Sequence, residues 1–319
     1  MSPLQELVQQ KISHLNPQFD VSLADMSYFK IGGAAEVFIE CDTREKIIEV
    51  VQFCHLERIE FRILAGASNV VISSAGLPGI TLSLSNADYQ IKQNEGDKTV
   101  VQVGSGYKTA LLVRKTIDDG FAGLEYYLGV PGKIGGAVFN NAHYDAHLIG
   151  ENVAQVEVVT REGEVKWLTQ AECDFRYDHS RFHSSKEVIL LIQFALKKGD
   201  RVTSMQMVKE ATIRRAQTQP LGEPSSGCYF KNVPNTPELM QKFPQFNGRT
   251  EFPSAFLIDT AGLKGKEVGG IKVSEKHAAF FVNTGNGTSD EVKQLANMVK
   301  AKIKESFGVE LKEEVFWLE

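Results

Sequence analysis

Backbone crowding constrains this chain more than any other feature. From Gly123 to Tyr144 it reads GLEYYLGVPGKIGGAVFNNAHY, with Gly129, Gly132, Gly135 and Gly136 around Pro131; LAGASNVVISSAG spans Leu64 to Gly76. Glycine lets main chain approach main chain, or a ligand, where a side chain would forbid it. Gly66, Ser68 and Asn69 follow an extended run, so their N–H groups, with those of the second loop, form a nest able to wrap a pyrophosphate. Tight turns alone would produce the same letters. Neither cluster is a Gly-x-Gly-x-x-Gly between strand and helix, so a dinucleotide bound here is bound by a fold other than Rossmann's.

Around these clusters the periodicity predicts an α+β chain. Leu4, Leu7, Val8, Ile12 and Leu15 fall at helical spacing. The runs AEVFIE, FRILA, NVVI, GITLSL and TVVQV then alternate with helical patterns over 45–57 and 108–118. Two alternating runs flank Arg161-Glu162-Gly163, and VILLIQFAL from Val188 predicts a buried strand. A boundary is expected near residue 200, giving domains over 1–200 and 201–319. After a helix over 204–217, the stretch QPLGEPSSGCYFKN predicts a shaped loop rather than a regular element. Thr288 and Glu291 are spaced as a capping box, opening a helix with Val292, Leu295, Val299 and Ile303 on one side. The terminal LKEEVFWLE is read as a last strand.

A net charge of −5 gives no basic footprint for nucleic acid. No apolar run reaches the roughly 18 residues that span a bilayer, and MSPLQELVQQKISHL lacks a leader's apolar stretch. A cytoplasmic monomer without nucleic-acid, membrane or metal partners is expected. Cys41, Cys54, Cys173 and Cys228 contain no Cys-x-x-Cys pair and predict reduced thiols.

In order, FKIGG, AGASN, GLEYYLGVPGKIGGA, PSSGCYFKN, IDTAGLKG and the terminal Glu-Val resemble the UDP-N-acetylenolpyruvoylglucosamine reductase (MurB) family over nearly the whole chain. The resemblance implies an FAD-binding domain of the vanillyl-alcohol-oxidase (PCMH) type followed by a C-terminal α+β substrate-binding domain. It implies reduction of the enolpyruvyl sugar nucleotide to UDP-N-acetylmuramate, with NADPH as reductant, in peptidoglycan precursor synthesis. The short interval from Phe175 to Arg214 places the chain in the branch lacking a tyrosine-bearing insertion.

By the same resemblance, Gly66, Ser68, Asn69, Gly129, Val130, Pro131, Gly132, Gly135 and Gly136 hold FAD, and Asn141 lies near the flavin. Cys228 fills the place of the acid that protonates the carbon bearing the carboxylate. A thiol near its ordinary pKa of about 8.5 is protonated at neutral pH and is more acidic than a serine hydroxyl. Glu314 matches a carboxylate supporting proton delivery, with Glu313 the nearest alternative. Arg214, Lys231, Asn232 and Lys264 are candidates for substrate binding through charge-assisted contacts, and Arg215 competes with Arg214. Asp259, Ser274 and Asn283 lie in matching segments, whereas His277 is read as a packing or hydrogen-bonding residue.

The resemblance breaks at Asp178, which stands where the family has an active-site arginine, and at Phe316, where a second arginine is usual. Lys133 occupies a position commonly held by a small hydroxyl residue and could bring charge near the cofactor. Arg181, with Arg176 as alternative, is expected to supply the missing cation. These departures keep a second hypothesis open, a catalytically degenerate FAD or sugar-nucleotide binding protein of the same fold. A flavin oxidase with another substrate is a third.

Overall fold

The expected α+β class is realised. A computed structural model describes residues 1–95, 98–144 and 147–319. They divide into two units: Met1–Val21, Ala35–Gly66 and Pro78–Arg215 form the first, and Ser22–Ala34, Ala67–Leu77 and Ala216–Glu319 the second. Two early segments therefore pack with the C-terminal residues. The units interleave because segments distant in sequence share one core, and their last junction falls between Arg215 and Ala216.

The first unit contains two larger sheets. One has the order Gln18–Ser22, Ala34–Cys41, Leu77–Leu84, Phe61–Leu64. The helix Arg44–Glu57 starts where the Thr43 hydroxyl accepts from the Lys46 N–H and ends at Arg58 in the left-handed region. Its Ile47, Val50, Val51 and Cys54 share a core with Val8, Ile12 and Leu15 from the N-terminal segment. The other sheet has the order Val165–Thr169, Val153–Val159, Val188–Lys198, Lys98–Gly104, Tyr89–Glu95, with Phe121–Ala122 added to Val188–Lys198. Burial from Val188 to Ile192 is continuous because opposite faces enter different cores, Ile189 and Ile192 in one, Val188 and Leu190 in the other. That explains the unbroken apolar run.

The second unit carries an antiparallel sheet in the order Ser225–Cys228, Phe280–Asn283, Ile271–Val273, Glu267–Val268. The predicted Thr288–Glu291 capping box opens the helix Ser289–Phe307, whose Val292, Leu295, Val299 and Ile303 are fully buried. Phe316–Leu318 forms the expected last strand, parallel to Val70–Ile72. One expectation fails. The segment predicted as a loop contains the strand Ser225–Cys228, whose register shifts against Phe280–Asn283 and whose Gly227 has φ of 81°. A bulged strand lacks the period-two alternation by which strands are recognised. Among the described residues, no helix is long and apolar enough to cross a membrane.

Candidate cofactor and catalytic sites

In the first unit, the glycine loop is built backbone against backbone. The Gly132 carbonyl accepts from the Thr109 N–H at 3.1 Å, Tyr107 O from Ile134 at 2.8 Å and Ser105 O from Gly135 at 2.8 Å. Residues 132–135 thus run along 105–109, with Lys133 bridged to Lys108. A Cβ on Gly66 would fall within the Gly132 backbone and 2.7 Å from the Lys133 nitrogen; one on Gly135 would stand 2.7 Å from Ser105 Cβ. Gly132 itself has φ of 96°. These glycines are required by the protein's own packing, as the tight-turn reading holds.

Gly136 is different. A Cβ there would meet only Ala65 Cβ, at 3.7 Å. Nothing among the described residues requires glycine at this position, so the remaining space is a cradle that a methyl group would partly fill. Close by in the backbone ladder, the fully buried Thr109 hydroxyl has no hydrogen-bond partner among the described residues. Spare room beside the Gly136 backbone fits the close approach of a phosphate-bearing cofactor.

At the loop's start, Arg215 donates to the Gly129 carbonyl at 3.1 Å and lies 4.4 Å from the centre of the Tyr144 ring. Between the two competing arginines, Arg215 is therefore a brace of the glycine loop, while Arg214 is exposed. Asn141 is buried with φ of 48°; its side chain donates to Arg176 O at 2.7 Å and accepts from Gly150 N at 2.9 Å. Its visible work is to pin the Phe175–Phe182 segment.

That segment does not supply the expected cation in the expected way. Arg181 bonds Glu187 at 3.1 Å and the Glu172 carbonyl at 3.2 Å, and Glu187 also pairs with Lys166 at 2.8 Å. Burial raises the Glu187 pKa, but hydrogen bonds from Lys166 and Ser185 and the Arg181 charge outweigh it and hold the carboxyl below its ordinary value. In this structure the Arg181 charge serves the buried Glu187 carboxylate. Arg176, the alternative, is exposed and pairs with Asp174 at 2.6 Å. Asp178 is buried, 3.1 Å from His143 Nδ1, with Tyr177 against the same imidazole at 4.5 Å. His143 was missed in the sequence; a buried aspartate in an arginine's place was the signal to look for a basic partner.

In the second unit, Cys228 and Glu314 belong to segments that are stitched together. Glu314 N donates to Tyr229 O at 2.8 Å and Lys231 N to Lys312 O at 2.9 Å, while Phe230 is bridged to Glu313. Asn69 joins this assembly: its side chain donates to Glu314 O at 3.4 Å, and its carbonyl accepts from Phe316 N at 3.1 Å. The turn holding Ser68 and Asn69 passes through Ala67 at φ of 49°, a conformation that costs an L-residue roughly 1–2 kcal/mol. Beside Cys228, the Ser226 hydroxyl is buried and has no partner among the described residues.

Cys228 is half-buried, whereas Cys41, Cys54 and Cys173 are buried, and desolvation pushes their thiols up to about 12. Glu313 accepts from Lys300 at 2.6 Å and from Trp317 Nε1 at 2.7 Å. Asn232 accepts from Ser254 N at 3.3 Å. Lys264 pairs with Asp259 at 2.7 Å, and burial together with the Lys264 charge lowers the His277 pKa. Asn283 ties Phe29 O to Gly285 N, and Ser274 caps the turn at Lys276; both are scaffolding.

Comparison with known proteins identifies two matching domains in sequence order. A profile described as an FAD binding domain matches residues 35–169, and one described as the UDP-N-acetylenolpyruvoylglucosamine reductase C-terminal domain matches 219–318. UDP-N-acetylenolpyruvoylglucosamine reductases from Chlamydia felis and Shouchella clausii are each 36% identical, covering 92% and 93% of this chain and 92% and 89% of their own lengths. The crystal structure of the MurB reductase from Thermus caldophilus superposes with a TM-score of 0.76 at 27% identity, over 93% of this chain and 97% of that one. With both domain profiles matched and relatives aligned nearly end to end, the chain belongs to the UDP-N-acetylenolpyruvoylglucosamine reductase family.

Proposed function

We propose that this protein is an FAD-dependent oxidoreductase that converts UDP-N-acetylenolpyruvoylglucosamine to UDP-N-acetylmuramate at the expense of NADPH, as a cytoplasmic monomer. The observation that carries the mechanism is the stitching of the Cys228 and Glu314 segments through Tyr229 O and Glu314 N. It supports a proton donor and a carboxylate held by one rigid backbone frame. When bound, FAD supplies the hydride for the vinyl carbon.

The protein's task is then to deliver a proton to the carbon bearing the carboxylate and to stabilise the charge that precedes it. We assign the proton to the Cys228 thiol and its support to Glu314. Lys231, Lys264 and Arg214 would hold the substrate's anionic groups, and Asn232 would shape the loop between them. Gly66, Ser68, Asn69 and the Gly129–Gly136 loop would receive FAD, with Asn141 acting through the segment it pins. In this reading residues 1–200 carry cofactor binding and 201–319 substrate binding.

The test is a two-step colour cycle on the purified protein under anaerobic conditions. NADPH should bleach the flavin absorbance, and the enolpyruvyl sugar nucleotide should restore it. A flavoprotein that bleaches but is not reoxidised by this substrate would refute the proposed reaction and support the binding-protein alternative.

A further inference from the structure

We infer that Lys133 anchors the cofactor, its ammonium providing the counter-charge for the diphosphate of bound FAD. The inference rests on the FAD reading above and adds a residue to it. Lys133 sits where the two glycine clusters meet: its backbone nitrogen lies 2.7 Å from where a Gly66 side chain would begin, and its backbone is bridged to Lys108.

The state of its side chain suits an anionic partner. Among the described residues, the ammonium donates to the main-chain carbonyl of Leu84, a neutral group, and no carboxylate lies within ion-pair distance. Burial lowers its pKa; attraction from Glu40 opposes that shift and repulsion from Lys108 adds to it. A half-buried cation whose described hydrogen-bond partner is a neutral carbonyl gains attraction from an anion bound beside it.

The surroundings favour the same ligand. Lys108 is the N-cap of the ten-residue helix Thr109–Asp118 and offers no side-chain cap, so the positive end of that helix adjoins the Lys133 backbone. A lysine and a helix start on one backbone ladder suit a doubly charged diphosphate better than the uncharged flavin ring or ribityl chain.

The test uses full-length protein stripped of flavin and titrated with FAD, following quenching of flavin fluorescence at low and high NaCl. One charge-assisted contact predicts about a tenfold to hundredfold weaker FAD binding in Lys133→Met. The wild-type affinity should fall with salt more steeply than that of the variant, and Lys133→Arg should recover much of the affinity and the salt dependence. The flavin-free Lys133→Met protein should melt within about 3 °C of wild type, because it loses one hydrogen bond to the Leu84 carbonyl together with a half-buried charge. Unchanged FAD affinity in Lys133→Met would overturn the inference, as would weakened affinity with the wild-type salt dependence, which marks loop damage. If wild type itself binds no FAD, the cofactor reading fails first, a result distinguishable from indifference to Lys133.

Discussion

Gly136→Ala separates a glycine kept for the protein's packing from one kept for its ligand. The added Cβ would meet only Ala65 Cβ, at 3.7 Å, an ordinary contact, and residue 136 lies within the helix Ile134–Phe139. Alanine in place of a helical glycine is worth up to about 1 kcal/mol. The flavin-free variant should therefore melt at the wild-type temperature or about 2 °C above it. If the cofactor approaches this backbone, a methyl group in its path costs about 1–3 kcal/mol, weakening FAD about fivefold to 150-fold. The assays are thermal unfolding of flavin-free protein and FAD titration by fluorescence quenching. Native affinity in Gly136→Ala would refute close approach at this position, and a melting temperature several degrees lower would refute the packing argument. Gly135→Leu is a poorer probe: its side chain would begin 2.7 Å from Ser105 Cβ, so flavin loss there would follow from a displaced loop whatever the cofactor does.

Cys228→Ala should bleach with NADPH at nearly the wild-type rate but be reoxidised by the enolpyruvyl substrate about 10²- to 10⁴-fold more slowly, measured by stopped-flow absorbance. Cys228→Ser should recover part of the loss, and native reoxidation in the alanine variant would remove the thiol as the acid. In the folded protein, an alkylating reagent should label Cys228 before Cys41, Cys54 and Cys173, whose buried thiols sit near 12; peptide mass mapping that finds another order would refute this. Arg181→Ala should cost stability rather than chemistry, about 2 kcal/mol, less than a broken buried pair because Lys166 remains on Glu187. Since Glu187 has a lowered folded pKa, its contribution is present above its unfolded pKa of about 4.3 and is lost as pH falls through the folded value. The variant's acid unfolding midpoint should therefore move to higher pH, and unaltered stability with lost turnover would return Arg181 to the catalytic site.

Local patterns made much of the fold legible because short-range physics decides them. Helix 289–307 was readable from Thr288, Glu291 and four apolar residues on one side; the hairpin around Arg161-Glu162-Gly163 and the apolar run from Val188 were equally clear. The ordered motifs identified the family, and the residue types at Cys228 and Glu314 suggested the chemistry proposed for them. What stayed hidden depended on partners distant in sequence. Sequence alone gives no way to know that Gly135 is required by Ser105 while Gly136 is not, since both read simply as glycine. Likewise, the charge on Arg181 signalled a cation, but only the fold brought Glu187 to it. The strand Ser225–Cys228 lost its alternation to a bulge that pairing with Phe280–Asn283 imposes. His143 opposite Asp178 and Lys133 beside Gly66 are contacts made by chain crossing. The sequence by itself determined which groups were available and what chemistry they could perform; the tertiary structure decided which were already committed to each other, because desolvation and close packing act between residues that the chain keeps far apart.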